Sequence, residues 1–412
     1  MQLLKRTTFT LFCIAMLVLA IASLLDNLTG EPGTSESVYH SIPFAAMWGV
    51  LTVCALIYIF RRKLWKLPAT MMIHLALALI LLGALVTHIW GEQGRMHIRE
   101  HESSSVIEHE DARDQRLPFS VHLESFEIVY YQGTSAPKDY VSKIVFEEGG
   151  NEEKVTVSMN NIARYRNYRF YQSAYDDDLH GSILIVTRDP WGIGLTYSGY
   201  FMLLMGMLLF WLQPNSQYRR VLRLWREDRK TSANRIMRWL PYIIFTVVLI
   251  IVAVIMILRW SSVPLMPVLR SPLFPLHVSV IMISYILLAF IMVNGFRAMF
   301  ISRRNDGYEL KALRLMRSSQ LMLVPALFLL IAGIFIGAVW ANVSWGRYWG
   351  WDSKEVWALI TMMFYSLPLH QQSLKWFANP RNFHGYCAFA FLLVLMTYFG
   401  VNYFLSGLHS YA

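Results

Sequence analysis

The most informative stretch of the chain is Trp340-Ala-Asn-Val-Ser-Trp-Gly-Arg-Tyr-Trp-Gly-Trp-Asp-Ser-Lys-Glu355, which lies between two long apolar runs. It contains four tryptophans, one tyrosine, two basic and two acidic residues. If the segment is helical, Trp345, Trp349 and Asp352 share one face, because they are spaced at i, i+4 and i+7. Such a face suits a large, flat, apolar ligand with a polar edge.

A simpler reading of the same stretch is an aromatic belt at headgroup depth followed by a helix N-cap. Asp352-Ser-Lys-Glu355 fits a capping box, in which the first and fourth residues satisfy backbone N–H groups at a helix start. A belt does not account for so many indole rings in one short loop. We therefore interpret the tryptophans as the bed of a ligand.

The composition is that of a polytopic membrane protein. Of 412 residues, 55% are hydrophobic, and apolar runs of about 18 residues or more recur along the chain. The predicted fold is all-α, with about nine transmembrane helices and an inserted β-rich extracytoplasmic domain. The nine predicted spans are residues 9–25, 44–60, 71–90, 194–212, 240–258, 276–296, 321–340, 356–369 and 386–405.

The distribution of charge predicts the orientation. The formal net charge is +10, and the basic residues concentrate in short loops on one side of the spans. This is the positive-inside pattern, so it reports topology and does not indicate nucleic-acid binding. We predict a cytoplasmic (inner) membrane protein with its N-terminus inside, and with the β-rich domain, the tryptophan loop and the C-terminus on the outer, periplasmic side. Residues 9–25 also fit a signal peptide, but this topology needs no cleavage.

Changes in composition along the chain predict its domains. In the hydrophilic region, β-branched and aromatic runs at 119–131, 140–147 and 154–159 predict strands of a small antiparallel sheet, and the charged residues 100–114 suggest a linker. The predicted domains are 1–90 (three membrane helices), 91–190 (the β-rich domain), 191–218 (a fourth helix), 219–239 (a basic cytoplasmic linker) and 240–412 (the domain with the tryptophan loop, 340–355).

The three cysteines carry no thiol motif. Cys13, Cys54 and Cys387 each lie inside an apolar run and are widely separated in sequence. This excludes a Cys-x-x-Cys redox motif and a cysteine metal site within the chain. Any thiol chemistry must use cysteines that a partner supplies.

Four histidines lie at the edges of predicted spans, where ionisable residues are candidates for function. His277 begins the sixth span and His409 follows the ninth, both on the outer side. His74 and His370 lie near the inner ends of the third and eighth spans. Asp352 and His370 are 18 residues apart, which is roughly 27 Å along a helix and about the hydrocarbon thickness. One histidine pair is therefore expected at each face of the membrane.

Paired imidazoles can ligate haem iron from both sides of the porphyrin. The tryptophans offer stacking surface, and Arg347 or Lys354 offers a cation for the haem propionates. A lone interfacial histidine is more often a simple hydrogen-bonded surface group. Two pairs beside a cluster of indole rings favour haem binding.

Several motifs resemble proteins of cytochrome c biogenesis. Residues 345–355 look like the tryptophan-rich WWD motif of haem-handling proteins, and Pro275-Leu-His277-Val-Ser with Asn402-Tyr-Phe-Leu-Ser-Gly-Leu-His409 resembles the histidine segments of the CcsA (ResC) branch. Ile73-His74 with Leu81-Leu-Gly83 is similar to a histidine-bearing span of ResB (CcsB). The ResB-like segments of the outer region are 168–176, Asp189-Pro and 196–200. The chain thus resembles a ResB-like half, to about residue 220, fused to a CcsA-like half.

The resemblance implies a System II cytochrome c synthase. Such a protein moves haem b, both ligand and substrate, across the membrane and attaches it to the Cys-x-x-Cys-His motif of apocytochrome c. The implied partners are apocytochrome c, haem and the lipid bilayer. Thiol-reducing proteins that keep the apocytochrome reduced are further possible partners, and no nucleic acid is expected. By position, the implied iron ligands are His74 and His370 in the membrane and His277 and His409 outside. The residues implied to bind the macrocycle are Trp340, Trp345, Gly346, Trp349, Trp351 and Asp352. Of these, Trp345, Trp349, Trp351 and Asp352 present haem to the thiols, without an acid–base role.

Three other functions remain open at this stage. A haem exporter or chaperone would present haem without forming the thioether bonds. A b-type quinol-oxidising cytochrome is disfavoured, because no histidines repeat within a single helix to stack two haems. An assembly factor without a cofactor would tolerate loss of His277 and His409. The β-rich domain is short for ResB and the second half has only five clear spans, so a separate partner also remains open.

Overall fold

Helices flank an all-β domain in the chain. The computed structural model describes residues 1–29, 33–109, 114–230, 251, 264–301 and 307–405. Before the β domain the helices are α1 (Gln2–Thr29), α2 (Thr34–Tyr39), α3 (Ile42–Arg61) and α4 (Pro68–Trp90). After it they are α5 (Gly192–Leu212), α6 (Gln217–Lys230), α7 (Leu273–Phe300), α8 (Tyr308–Trp345), α9 (Ser353–Ser366), α10 (Pro380–Leu395) and α11 (Val401–Phe404). Short 3₁₀ segments lie at Leu64–Lys66, Pro267–Arg270, Leu367–His370 and Lys375–Ala378, and a π-helical turn at Met396–Gly400 joins α10 to α11.

Within the described residues, seven helical segments are long and apolar enough to cross a membrane. They are Gln2–Leu25, Ile42–Arg61, Pro68–Trp90, Gly192–Asp228, Leu273–Phe300, Tyr308–Trp345 and Pro380–Phe404. Each contains one of the predicted spans, which confirms a multi-pass membrane protein. The predicted span at 240–258 lies outside the described residues, so the total of nine stays a prediction.

The predicted eighth span is a shorter helical rod. Helix α9 has 14 residues and continues directly into the 3₁₀ turn Leu367–His370. Together the two are roughly 29 Å long, from the rise per residue of each helix type. This rod places Asp352 and His370 at opposite ends of the membrane bundle.

The β domain is one curled antiparallel sheet of eight strands. The strand order is β5-β4-β3-β2-β1-β8-β7-β6. The strands are β1 (Glu92–Arg99), β2 (Ser103–Glu108), β3 (Asp114–Tyr130), β4 (Pro137–Glu148), β5 (Asn151–Ser158), β6 (Ala163–Tyr165), β7 (Tyr168–Tyr175) and β8 (Gly181–Arg188). The three predicted strands correspond to β3, β4 and β5. The predicted linker at 100–114 is wrong, because its central part forms β2.

Aromatic side chains close the sheet on itself. Tyr165 of β6 stacks on Phe146 of β4 with ring centroids 4.5 Å apart, and Phe119 and Phe170 pack edge-on beside them. These rings alternate along their strands with outward polar residues, as period-two strands require. The resulting core makes the domain a compact cap on the helical bundle.

Small residues bring α4 and α5 together. A Cβ on Gly83 would meet Thr196, one on Gly199 would meet Ile80, and one on Gly206 would lie 3.0 Å from Ile73. Small residues allow this close backbone approach in membrane helices, where burying apolar surface provides little driving force. The pair positions His74, near the start of α4, about 24 Å along the helix from Trp90 and the β domain.

The helices on either side of the β domain share their cores. Leu203 and Ala76 are buried with residues of α7, α8 and α10, while Ala15 and Leu19 of α1 are buried with residues of α9. A part-buried ion pair at 2.6 Å between Arg317 and Asp228 also joins α8 to the basic helix α6. The two membrane regions therefore pack as one bundle.

Candidate functional site

The structure brings His74 and His370 together. Their ring centroids are 6.0 Å apart and the rings are nearly perpendicular, at 86°. Phe9 of α1 packs edge-on against His370 at 5.8 Å. Elements from three parts of the chain thus converge on one imidazole pair, 296 positions apart in sequence.

Backbone carbonyls fix the chemistry of both rings. His74 Nδ1 lies 2.7 Å from the carbonyl oxygen of Thr70, and His370 Nδ1 lies 2.9 Å from that of Ser366. A carbonyl oxygen can only accept, so each Nδ1 carries the proton and each Nε2 keeps its lone pair. This second hydrogen bond is the one that metal-ligating histidines make.

The separation of the rings fits one metal ion between them. Two metal–nitrogen bonds of about 2 Å each, plus the radii of two imidazole rings, give about the observed distance. Within the described part of the chain, no group of three or more His, Cys, Asp and Glu side chains is placed to hold a metal. Within those residues the pair thus has no third His, Cys, Asp or Glu side chain beside it to complete a metal site.

Of the two histidines predicted as outer ligands, His277 lies within the described residues, near the start of α7. Its Nδ1 donates to the carbonyl oxygen of Gly333 on α8 at 2.7 Å. A Cβ on Gly337 would come within 2.7 Å of the imidazole, so glycine at this position makes room for the ring. Trp340 lies beside it, with ring centroids 6.4 Å apart. His409 lies outside the described residues, and its pairing with His277 stays a prediction.

The middle of the tryptophan loop, residues 346–352, is not helical. Helix α8 ends at Trp345 because Gly346 has φ +80°, in the left-handed region that glycine adopts most readily. Residues 346–352 have no regular structure before α9 starts at Ser353. The prediction that Trp345, Trp349 and Asp352 share one helical face is therefore wrong.

The four tryptophans form two pairs. Trp340 and Trp345 are 5.1 Å apart, with Phe274 of α7 against Trp340. Trp349 and Trp351 are 5.8 Å apart and nearly perpendicular. The first pair lies beside His277, and the second faces the amino-terminal helices.

Trp351 is held in an unusual backbone conformation. Its φ is +55°, which costs a non-glycine residue about 1–2 kcal/mol. Its indole stacks on Tyr39 at 5.0 Å and 19° and meets the edge of Phe44 at 5.0 Å. Strain of this kind persists where the surroundings fix the residue, so α2 and α3 help to shape the loop.

The predicted helix N-cap is present with a modified bond pattern. The Asp352 carboxylate accepts the backbone N–H of Lys354 at 2.9 Å. Glu355 accepts the N–H of Gly350 at 2.9 Å, two residues before the cap. Two acids thus tie the end of the loop to the start of α9. Of the two predicted cations, Lys354 donates to the Asn402 side chain at 2.8 Å and Arg347 packs beside Gly350.

A hydrogen-bond network that the sequence did not predict attaches the loop to the first half of the chain. The Thr87 hydroxyl at the end of α4 donates to Asp189 at 2.6 Å and lies 2.6 Å from the Tyr348 hydroxyl. Thr196 of α5 also donates to Tyr348, at 3.4 Å, and Asp189 accepts the N–H of Gly192 at 2.7 Å. Asp189 and Thr196 belong to the ResB-like segments, and that resemblance was the one sequence feature that marked these two residues.

Comparison with known families covers nearly the whole chain. A profile described as ResB-like family matches residues 61–189, and one described as Cytochrome C assembly protein matches residues 194–409. The chain belongs to the cytochrome c assembly protein family. It joins a ResB-like region to a CcsA-like region, as the motifs predicted. The two matches meet at the start of α5, and the predicted boundary in the basic linker, 219–239, stays a prediction.

Relatives of this cytochrome c assembly protein are similar over limited regions. It is 41% identical over 155 residues to Protein NrfI of Wolinella succinogenes, which covers 36% of this chain and 17% of that protein. It is 35% identical over 185 residues to the cytochrome c biogenesis protein CcsA of Prochlorococcus marinus, covering 36% of this chain and 57% of CcsA. The CcsA of a Synechococcus strain is 34% identical over 181 residues, covering 37% of this chain and 59% of CcsA. The chain thus spans less than two thirds of each of these relatives.

Proposed function

We propose that this protein carries haem b across the cytoplasmic membrane and attaches it to the Cys-x-x-Cys-His motif of apocytochrome c on the outer side. The observation that carries the proposal is the His74–His370 pair. Both rings have their Nδ1 bonded to backbone carbonyls, and their centroids are 6.0 Å apart, which supports a shared iron ion.

The position of this pair supports a role in transport. His74 is near the basic end of α4, which follows Arg61, Arg62, Lys63 and Lys66. The positive-inside rule assigns that end to the cytoplasm. Haem held here would be in the inner part of the bundle, below the tryptophan loop by about the length of α9.

The outer site is proposed to consist of His277 and His409, with the tryptophan loop as the bed. The half-buried Trp345 would offer a ring face, and the buried Trp340 would support it from beside His277. Gly346 gives the backbone turn after them. Trp349, Trp351 and Asp352 fix the second part of the loop. These residues hold and orient haem and exclude water, so their contribution is positioning rather than proton transfer.

The attachment step is an addition that consumes no oxidant. Each thiol of the apocytochrome adds across one vinyl group of haem, with sulfur bonding the carbon next to the ring and hydrogen going to the terminal carbon. Within the described residues, the protein's three cysteines form no disulfide. The thiols therefore come from the apocytochrome, and thiol-reducing proteins are proposed to keep them reduced.

Spectra of the purified full-length protein test the proposal. We expect a Soret band after haem-replete expression, a partial loss of that band in His74→Ala and His370→Ala, and the loss of a separate component in His277→Ala and His409→Ala. His88→Ala is a matched control, because His88 is exposed at the outer end of the same helix as His74. Absence of a Soret band from the wild type contradicts the proposal.

Co-expression with an apocytochrome separates the synthase from a haem exporter. Covalent haem in the cytochrome, retained after acid–acetone extraction, supports attachment by this protein. Haem that extracts fully, from cells in which the protein is the sole maturation factor, supports export without attachment.

A further inference from the structure

The outward face of strands β6, β7 and β8 carries an unusual set of side chains. Arg164 of β6 lies opposite Arg169 of β7, and Arg169 lies opposite Thr187 of β8. Tyr171 is two residues along β7, so it projects on the same side as Arg169. The alternate residues Phe170 and Val186 face the core of the β domain.

This face lies against the tryptophan loop. A Cβ on Gly346 would come within 3.0 Å of the Tyr171 ring and 3.2 Å of the Thr187 methyl group. Contact with the loop leaves Tyr171 only 1% and Thr187 only 6% exposed. The arginine face of the sheet is therefore continuous with the end of α8, next to Trp345.

Three buried polar atoms at this junction have no hydrogen-bond partner among the described residues. They are the hydroxyls of Tyr171 and Thr187 and the side-chain oxygen of Asn342. The amide nitrogen of Asn342, which is 3% exposed, donates to Tyr197 at 2.6 Å. Buried polar atoms are nearly always paired in folded proteins. The two hydroxyls can donate to an acceptor group beside them, whereas the Asn342 oxygen can only accept.

The charge at the junction is positive. Arg164 is exposed and Arg169 half-buried, and neither forms an ion pair or a side-chain hydrogen bond within the part of the chain that the structure describes. Both guanidinium groups act electrostatically on the Tyr197 hydroxyl. Like charges directly opposite one another on a sheet repel, and an anion between them removes that repulsion.

We infer that Arg164, Arg169 and Tyr171 form a carboxylate-binding site that holds a propionate of haem at the outer face. The inference rests on the proposed function. Guanidinium groups bind carboxylates with paired hydrogen bonds, and the tyrosine hydroxyl donates a further one. Because the propionates of haem lie together on one edge of the porphyrin, holding them fixes its rotation over Trp340 and Trp345.

This site also assigns a role to the β domain. Arg164 and Arg169 come from the ResB-like region, whereas His277 and the tryptophans come from the assembly region. Haem bound at the outer face is then held by both regions of the fusion. An acidic side chain of the apocytochrome offers the same carboxylate chemistry, and the experiment below distinguishes it from a propionate.

The test compares haem with its dimethyl ester, in which both propionates are blocked. Each form is titrated into full-length His370→Ala protein, which lacks one inner ligand, and binding is followed by the Soret band. We expect haem to bind about tenfold more tightly than the ester, as one charge-assisted interaction provides. In Arg164→Gln/Arg169→Gln the preference is expected to fall to about onefold, with ester affinity unchanged. Arg116→Gln, at an exposed position on β3, is the control and is expected to keep the preference.

Three outcomes overturn the inference. One is equal affinity for haem and its ester before the arginines are changed. Another is a preference that survives in the double variant. In the third, the Arg164→Gln/Arg169→Gln variant no longer binds an acidic apocytochrome peptide but still prefers haem to its ester. That result would assign the arginines to the protein substrate. Failure of the wild type to bind either form contradicts the proposed function as well.

Discussion

Histidine is a good iron ligand when one ring nitrogen is protonated and tied down and the other keeps its lone pair. His74 and His370 meet this condition through carbonyl groups of their own helical turns, four residues earlier. The geometry follows from helix periodicity alone, because residues i and i−4 lie on one face. His277 reaches the same state through a carbonyl of a neighbouring helix, which Gly337 allows to approach.

The inner pair gives the first prediction. His370→Ala is expected to abolish the inner haem component, because a single imidazole leaves one axial position open. Millimolar imidazole is expected to restore the low-spin spectrum in this variant, because free imidazole can occupy the space left by the His370 ring. Absorbance and resonance Raman spectra of the purified protein measure both effects. His88→Ala is the control, and its spectrum is expected not to change when imidazole is added. A full inner haem signal in His370→Ala without imidazole would contradict the assignment.

The backbone of Trp351 gives a second prediction. Both Trp351→Gly and Trp351→Ala lose the stacking on Tyr39, but only the alanine variant keeps the cost of a positive φ. We expect the glycine variant to be more stable than the alanine variant by about 1 kcal/mol, measured by thermal unfolding in detergent. At Trp349, whose φ is not positive, the same two substitutions should give the reverse order or no difference. A more stable alanine variant at position 351 would show that the loop relaxes.

At the scale of elements, the membrane helices were more predictable than the loop between them. Long apolar runs bounded by charges define spans because the bilayer permits little else, and the seven segments found here each contain a predicted span. The shared face of Trp345, Trp349 and Asp352 was expected only if the segment is helical, and spacing alone cannot show where a helix stops. Gly346 ends α8, and the cost of a positive φ at Trp351 is offset by contacts from α2 and α3, which are distant in sequence.

The β domain shows the same limit. Strands β3, β4 and β5 have dense β-branched and aromatic residues, so their pattern was visible. In β2 only Ile107 is fully buried, and in β1 the inward residues alternate with charged ones, so local sequence carries little signal. Pairing with β8 and β3 stabilises these two strands, and that pairing is a tertiary effect.

A pH dependence is expected from this domain. Glu100 interacts with His180 Nδ1 at 2.8 Å and accepts the backbone N–H of Phe126 at 2.7 Å. The hydrogen bond with His180, and then that with Phe126, lowers the pKa of the Glu100 carboxyl below its ordinary value of 4.5. A lowered carboxyl pKa contributes stability above the unfolded pKa, and this contribution is lost as the pH falls through the folded pKa.

We therefore expect the Tm of the wild type to fall more between pH 7 and pH 4 than that of Glu100→Gln, which cannot ionise. Scanning calorimetry of the full-length protein measures the difference. Glu127→Gln is a control, because Glu127 is exposed and makes only a 3.7 Å surface pair with Lys143. Parallel pH profiles of the wild type and Glu100→Gln would refute the link.

At the scale of the whole molecule, the structure joins two matched regions at three depths. The inner histidines come one from each region, the Thr87–Asp189–Tyr348 network joins them at the outer end of α4, and the β domain covers the end of α8. The residues involved are far apart in sequence, so spacing could identify His74 and His370 as candidates but could not show that they meet. The fusion matters because each proposed haem site takes side chains from both regions.

The outer network gives the last prediction. Tyr348→Phe removes the hydroxyl that lies 2.6 Å from Thr87, while Thr87 keeps its bond to Asp189. One neutral hydrogen bond contributes about 1 kcal/mol, so we expect the loop to be correctly positioned about fivefold less often. The yield of covalent cytochrome c should fall by a similar factor, because we propose that the loop presents haem to the thiols. The inner haem band should be unchanged, because the His74–His370 pair lies at the other end of α4. Tyr398→Phe, at an exposed position on the π-helical turn, is the matched control.

Parallel loss of the inner haem and of the cytochrome in Tyr348→Phe would mean that Tyr348 supports the whole bundle and not the loop. An unchanged yield would mean that the stacking of Trp351 and the cap at Asp352 suffice to hold the loop in place.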